Sequence, residues 1–485
     1  MMQKLFVVIV LGSLLFGCSV EGEENTAHKY LLFNAYIVDV VTGDVQPNMA
    51  ILIDSATISK IGTIEELKDE VPKGQQIDAD GKYVIPGLWD MHVHMEGKDL
   101  VPDNKALLPV FLAYGITTVR DCASDLGEQV LAWRDEINRG ELIGPTIYTA
   151  GRKLEGKNSI WKDDLEIENE EELSQMLDKL DDYDVDFVKI TENTLAGDLF
   201  LKSVKAAHER GYRVSGHVPI DLTIDELVEA GFTSIEHASY MLRLGSDEGK
   251  IKHAVLANTL SKGDAGNLYI DQFDQDKATE GYQRLGEKGY FVCPTLIGGR
   301  QLAFLDEDDH QDDNFLKYLT KRFTDNYAWR IGRMAGDTPE QKQQRKDRYK
   351  LIASQLPYMQ RSGINIIAGS DAAALNTYVY PAASLIEELE IFQQSGLNPD
   401  EILRSATING AKYFGVLDKT STVDPGKVAD LVLLNDNPLD NIQAVNNIHA
   451  VIAKGQYFDR KALDEMLQQA EQTKIALDKE REMEK

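Results

Sequence analysis

The sequence predicts an α/β protein: a (β/α)8 TIM-like barrel carrying a small β-sandwich built from both termini. Three observations predict it. Eight apolar stretches alternate with amphipathic segments through the middle of the chain. Residues able to bind metal stand at the C-terminal ends of several of those stretches. Both ends of the chain instead read as short strands separated by frequent turns.

At the N-terminus, Met1-Met2-Gln3-Lys4 carries one positive charge, and an apolar run from Leu5 to Phe16 follows. That run is too short to span a bilayer and reads as a signal peptide over residues 1–17. Leu15-Phe16-Gly17-Cys18 resembles a bacterial lipoprotein signal, in which cleavage exposes a cysteine for lipidation. The expectation is an exported lipoprotein held through a lipid anchor at Cys18, on the periplasmic side of a membrane or at the cell surface. Residues 18–29 then form a polar tether.

Residues 30–85 contain the strand-like runs Ala35 to Val40, Met49 to Ile53 and Ile58 to Gly62. Residues 416–460 repeat the pattern with Pro425 to Leu434 and Ala450 to Gly455. Two β-rich ends around a different middle predict one sandwich made from both.

The barrel is expected over residues 86–415. Its predicted strands are Val84 to His94, Thr117 to Asp121, Thr146 to Gly151, Asp186 to Thr191, Tyr212 to His217, Thr233 to His237, Tyr290 to Thr295 and Asn365 to Asp371. Helices are expected between them, among them Leu199 to Arg210, Ile224 to Ala230 and Leu351 to Arg361. Gly115, Gly211, Gly231 and Gly363 stand where helix stops belong. Residues 302–350 are charge-rich and interrupt the rhythm, so they read as an insertion between strands seven and eight. A solvated surface excursion is expected there, with a lid over the barrel mouth as the alternative. Residues 461–485 read as a charged C-terminal helix or tail.

Composition excludes some functions. The chain has 485 residues, 43% of them hydrophobic, and a formal net charge of −29. Such a field repels phosphate backbones, so nucleic acid is not an expected partner. Beyond Cys18 only Cys122 and Cys293 remain, both in apolar stretches, which excludes a disulfide framework. Two buried free thiols are expected.

The strand ends carry the chemistry. His92-Val93-His94 closes the first predicted strand, and side chains two apart on a strand share a face. Lys189 lies in the fourth strand, His217 ends the fifth, His237 the sixth and Asp371 the eighth. In a parallel barrel those ends form the catalytic face. Simple hydrogen bonding at strand ends would explain one such residue, not the set. Strand alternation turns Glu236 away from the mouth and gives it a structural role. His28, His208, His253, His310 and His449 read as surface residues. Arg152, Tyr240 and Thr295, just past strand ends, are candidates for substrate contact.

At this point the chain resembles the amidohydrolase superfamily, and within it the imidazolonepropionase-related and Xaa-Pro dipeptidase-like branch. The resemblance runs from about Tyr30 to Tyr457. It is carried by Val84-Ile85-Pro86-Gly87-Leu88-Trp89-Asp90-Met91-His92-Val93-His94, Gly115-Ile116-Thr117-Thr118-Val119-Arg120-Asp121, Val188-Lys189-Ile190, Ile235-Glu236-His237, Ala368-Gly369-Ser370-Asp371, Ala406 to Ala411 and Val423 to Asp430. These motifs are specific for superfamily and fold, not for substrate. The resemblance implies two divalent metal ions, with zinc suited to nitrogen and oxygen donors. His92, His94 and Asp371 would hold the more buried ion, and His217 and His237 the second. Lys189 would be carboxylated by carbon dioxide and bridge them, and Asp371 would also move the proton.

The leading expectation is therefore a hydrolase acting on a C–N bond in an amide, dipeptide or cyclic amide. A dehydratase or lyase acting on a uronate-ended oligosaccharide is the second, since the same site can drive elimination. A non-catalytic surface binding protein is the third, and an intact ligand set argues against it. Ser370 stands where relatives often carry Thr, and the insertion reshapes the mouth. Substrate and oligomeric state stay open.

Overall fold

The computed structural model describes residues 29–483. The expected signal peptide and Cys18 lie outside the described residues. Among those described, no helix is long and apolar enough to cross a membrane.

The two ends of the chain share one mixed sheet of eight strands. Lys29–Val38, Val45–Asp54, Thr57–Gly62, Gln76–Asp78 and Tyr83–Pro86 come from the N-terminal end, and Leu431–Leu434, Ile448–Ala453 and Gln456–Asp459 from the other. The ends meet where Leu431–Leu434 pairs antiparallel with Tyr83–Pro86. Leu32, Ile37, Ile53, Val84, Leu431 and Ile452 are buried together there, so apolar burial from both ends stabilises the junction.

The first predicted strand is two strands. Tyr83–Pro86 belongs to the terminal sheet, and Leu88–Val93 opens the parallel region. Gly87 is the break: a Cβ there would meet the Thr117 side chain at 2.0 Å, and its N–H donates to Asp430 O at 2.8 Å. Only glycine lets the backbone pass between the sheets at that distance.

The middle is an α/β fold with parallel sheets. One sheet contains Leu88–Val93, Ile116–Asp121 and Thr146–Thr149. The other runs Leu165–Ile167, Leu154–Gly156, Val188–Ile190, Val214–Gly216, Phe232–Glu236, Phe291–Cys293 and Asn365–Ile366, all parallel. Backbone hydrogen bonds link the edges of the two sheets. Asp186 N donates to Thr149 O at 2.9 Å on one side. Met91 N donates to Ala368 O at 2.8 Å and Asp371 N to His92 O at 2.7 Å on the other. Strands lie near each of the eight predicted positions, most with shorter bounds; Ile116–Asp121 starts one residue earlier and Phe232–Glu236 is shifted by one. Leu154–Gly156 and Leu165–Ile167 escaped prediction because three-residue strands flanked by polar loops carry little periodicity.

Helices fill the crossovers. Thr223 and Glu226 form a capping box on Ile224–Glu229, and Asn169 Oδ1 accepts from Glu172 N at the start of Glu170–Asp182. The helix expected over Leu351 to Arg361 is split into Pro339–Ser354 and Leu356–Arg361, because Pro357 has no N–H to continue the first. Cys122 and Cys293 are buried free thiols, and burial pushes the Cys122 thiol up to about 12.

The C-terminal segment is a helix, Arg460–Met483, docked on Val101–Ala113. Arg481 bonds Asp103 at 2.5 Å and Thr320 Oγ1 at 3.0 Å, and Asp478 accepts from Lys321 N at 2.9 Å. The insertion is thereby tied to both.

Candidate metal centre

The site is built where parallel strands end. His92 is the fifth residue of Leu88–Val93 and is buried; His94 follows that strand. Their Nε2 atoms stand 3.2 Å apart, and each lies 3.3 Å from Asp371 Oδ1. These three residues offer donor atoms that all fall within 4.8 Å of one another. His217 and His237 form a second pair, Nε2 to Nε2 at 3.2 Å. The pairs are adjacent: the His92 and His237 ring centroids are 5.2 Å apart. All four sequence-predicted histidines and Asp371 therefore come together.

Each imidazole is held from behind. His92 Nδ1 donates to Glu236 Oε2 at 2.8 Å, His94 Nδ1 to Ala123 O at 2.7 Å, and His217 Nδ1 to Glu192 Oε2 at 2.7 Å. His237 Nδ1 lies 2.7 Å from Thr295 Oγ1. An acceptor at Nδ1 fixes the proton there and leaves the Nε2 lone pair aimed inward, as a metal ligand requires. Burial, reinforced by the Lys189 charge, holds the His92 imidazole down at about 4, so the ring is neutral.

The carboxylates follow the same logic. Burial pushes Asp371 up, but His92, His94 and His237 outweigh it and hold it well below the usual carboxylate range. Glu236 is fully buried against Arg120, whose Nη2 donates to both carboxylate oxygens at 2.8 and 2.7 Å. Burial opposes its charge, and Arg120 and Lys189 overcome that. Asp90 accepts from Ser370 N at 2.9 Å and Ser370 Oγ at 2.6 Å, which sets the turn into Asp371. Asp371 and His237 both have positive φ, 60° and 71°, and such strain persists where surrounding contacts impose it.

Lys189 lies within Val188–Ile190 and is 1% exposed. Its Nζ has no hydrogen-bond partner among the described residues. A buried ammonium left this way costs several kcal/mol, so the atom is built to be something else or to meet something else. Together with the donor set, this orphaned atom fits a metal centre.

The other candidates separate. Thr295 anchors His237 and lines the cavity beside it. Tyr240 donates to Glu192 Oε1 at 2.6 Å and so braces the His217 anchor. Arg152 is bound to Glu128 at 2.7 Å and to Asp163 O at 3.0 Å, and it does not line that cavity. Glu236 does not point away. The positive φ of His237 breaks the alternation, and Glu236 reaches inward to His92. Glu192 was missed as well; its signal was a carboxylate three residues after Lys189.

A cavity of about 400 Å³ opens on this cluster. Asp371, His237 and Thr295 form its floor side, and Arg330, Arg348 and Tyr349 contribute from the insertion. Part of the insertion is thus a wall of the cavity, while much of the segment is exposed to solvent as expected.

Comparisons with known proteins agree with this architecture. A model of the amidohydrolase family matches residues 83–457. The chain belongs to the amidohydrolase family. It is 34% identical over 92 residues to a 5-methylthioadenosine/S-adenosylhomocysteine deaminase of Teredinibacter turnerae, covering 18% of this chain and 21% of that protein. The chain thus spans about a fifth of the length of that curated relative. Two solved structures share the fold. A bottromycin amidohydrolase superposes with TM-score 0.71 at 16% identity, over 93% of this chain and 91% of that one. A Xaa-Pro dipeptidase with bound methionine in its active site superposes with TM-score 0.64 at 22% identity, over 89% and 100%.

Proposed function

We propose that this protein is an exported, metal-dependent hydrolase that cleaves an amide-type C–N bond in a small molecule or dipeptide. One observation carries the reading: inward-facing imidazoles, each fixed from behind, lie near a buried lysine amine that has no hydrogen-bond partner among the described residues. The names of the similar proteins, a dipeptidase, an amidohydrolase and a deaminase, all denote reaction at a carbon–nitrogen bond.

The backbone bonds between the two parallel sheets support their closure into one eight-stranded barrel. Burial of apolar residues from both ends in the terminal sheet supports a sandwich beside it. His92, His94 and Asp371 would hold one divalent ion, and His217 and His237 a second. Nitrogen and carboxylate donors suit zinc. Lys189 would add to carbon dioxide through its neutral amine, lose a proton and present a carbamate with two oxygen donors. That change replaces an unpaired cation by an anion between the two groups of ligands. When bound, such ions polarise a carbonyl and bring the pKa of water down towards neutrality.

The chain's own residues do the rest. Glu236, Ala123 O, Glu192 and Thr295 keep the rings in one orientation, so no reorganisation is needed during reaction. Asp371 takes a proton from the attacking water on a carboxylate oxygen and returns it to the leaving nitrogen. Residues from 302–350 line the cavity in which the reacting bond would lie. The apolar run ending at Gly17-Cys18 supports export and lipid anchoring at Cys18.

The test is product mass. The zinc-loaded protein is incubated with pools of N-acyl amino acids, dipeptides and uronate-ended oligosaccharides. Gain of one water with cleavage of an amide is the expected result. Loss of one water from a sugar acid would replace hydrolysis by elimination.

A further inference from the structure

Three arginines line the cavity, all from the insertion. Arg330 lies on helix Ala328–Met334; Arg345 and Arg348 lie on Pro339–Ser354. Arg345 is paired with Asp337. The other two differ. Arg330 Nε donates to Leu375 O at 3.0 Å, and among the described residues no carboxylate stands within ion-pair distance of its guanidinium. Arg348 makes no hydrogen bond or ion pair among the described residues. Two free guanidiniums on one cavity wall are unexpected in a chain with 80 acidic and 51 basic residues. Lys346, on the same helix as Arg348, is by contrast neutralised nearby: it meets Asp306 at 3.0 Å and Glu307 at 2.5 Å.

Their positions flank the ligand cluster. Arg330 and Arg348 line the same cavity as Asp371 and His237, and Arg330 is close enough to Asp371 and Glu96 to feel both charges. A guanidinium presents a planar fork of donors that matches a carboxylate and remains charged throughout the physiological range. Arg330 is half-buried and Arg348 exposed, so both forks are solvated on the cavity wall and open to an incoming carboxylate.

We propose that Arg330 and Arg348 are specificity-determining residues that bind a free carboxylate on the substrate, beside the bond that reacts. The inference rests on the hydrolase reading of the same cavity and narrows its substrate to amides carrying an acid group. A carboxylate is common to amino acids and to uronates, so the test includes both.

The full-length protein is studied by calorimetry after chelation of metal, and by hydrolysis after zinc loading. The probes are N-acetyl-L-proline, N-acetyl-L-leucine, the primary amides of both, and D-galacturonate. The variants are R330M, R348M and the double variant; methionine keeps the apolar stem, and R348M removes no internal bond. The wild type is expected to bind at least one of the acids about tenfold or more tightly than its neutral counterpart, as a charge-assisted hydrogen bond allows. Each single variant is expected to cut that acid-to-amide ratio, mainly through KM, and the double variant to abolish it. Preference for galacturonate alone also supports the carboxylate site and assigns it to a sugar acid. Carboxylate discrimination without turnover upholds the site and removes the hydrolase reading. Equal binding of acids and amides by the wild type, or an unchanged ratio in the double variant, overturns the proposal. Absence of binding by every probe overturns it too.

Discussion

The ligand cluster and the insertion share one cavity but are built by opposite means. In the cluster, every imidazole is pinned by a group from a different segment: His92 by Glu236, His94 by Ala123, His217 by Glu192 and His237 by Thr295. Register between parallel strands sets those distances, so the geometry is inherited from the sheet. The insertion satisfies itself locally, through the Thr338 capping box and ion pairs such as Lys346 with Asp306. It touches the rest of the chain through a few bonds, among them Arg330 with Leu375 O, Thr377 Oγ1 with Tyr327 O at 3.1 Å, and Thr320 with Asp103. The difference teaches a division of labour. Strand ends hold the reacting chemistry, and an added segment can change what reaches it without disturbing them.

Four changes would break or sharpen that division. The largest effect is expected from Lys189→Ala, which removes the buried amine proposed to bridge the two groups of ligands. Turnover should fall by more than about a thousandfold in steady-state kinetics, with metal content reduced and secondary structure retained. Next, Glu192→Gln leaves His217 in place but weakens its anchor. Metal titration should show the weaker of two sites losing about 10- to 100-fold in affinity, while the His92 and His94 site keeps its own. A loss at both sites equally would mean the cluster does not consist of two separable halves.

A smaller effect is expected where the insertion is tied down. Asp103→Asn removes one charge from the pair with Arg481, which is nearly buried, so urea unfolding should show a loss of about 1–2 kcal/mol. Metal content should not change, and KM should rise more than kcat falls. The smallest effect belongs to the terminal sheet. Burial pushes Asp430 up to about 6, above its ordinary value. Folding therefore favours its protonated form. Its stabilising contribution is complete below about pH 4 and is lost as pH rises through about 6. Asp430→Asn keeps an oxygen for the Lys454 N–H, which donates to Oδ1 at 2.6 Å. The variant should gain on the order of 1 kcal/mol over wild type at pH 7 and none at pH 4, in urea unfolding at each pH. Activity should be unaffected at either pH.

Much of the cluster was legible in the sequence because strand ends concentrate chemistry at defined positions. His92-Val93-His94 announces itself by spacing, and His217, His237 and Asp371 by closing segments of strand length that alternate with helical ones. Glu236 was misjudged because alternation holds only within regular strand, and His237 leaves that conformation. Glu192 was hidden because its role depends on a contact across one crossover, with no local signature. Arg330 and Arg348 were unreadable for a related reason. Charged residues on a polar helix look alike until packing shows which of them face a cavity. The split at Gly87 had a signal in the Pro86-Gly87 dipeptide, which punctuates the run from Tyr83 to Val93 and which a single-strand reading passes over.

The central claim is that Lys189 completes a two-metal centre as a carbamate. The most direct measurement combines metal counting with nuclear magnetic resonance on protein prepared in isotopically labelled bicarbonate. The account predicts two divalent ions per chain and a carbamate carbon signal in the wild type, with the signal absent and the second ion lost in Lys189→Ala. Two tightly bound ions in Lys189→Ala, or no carbamate signal in fully loaded wild type, would contradict it.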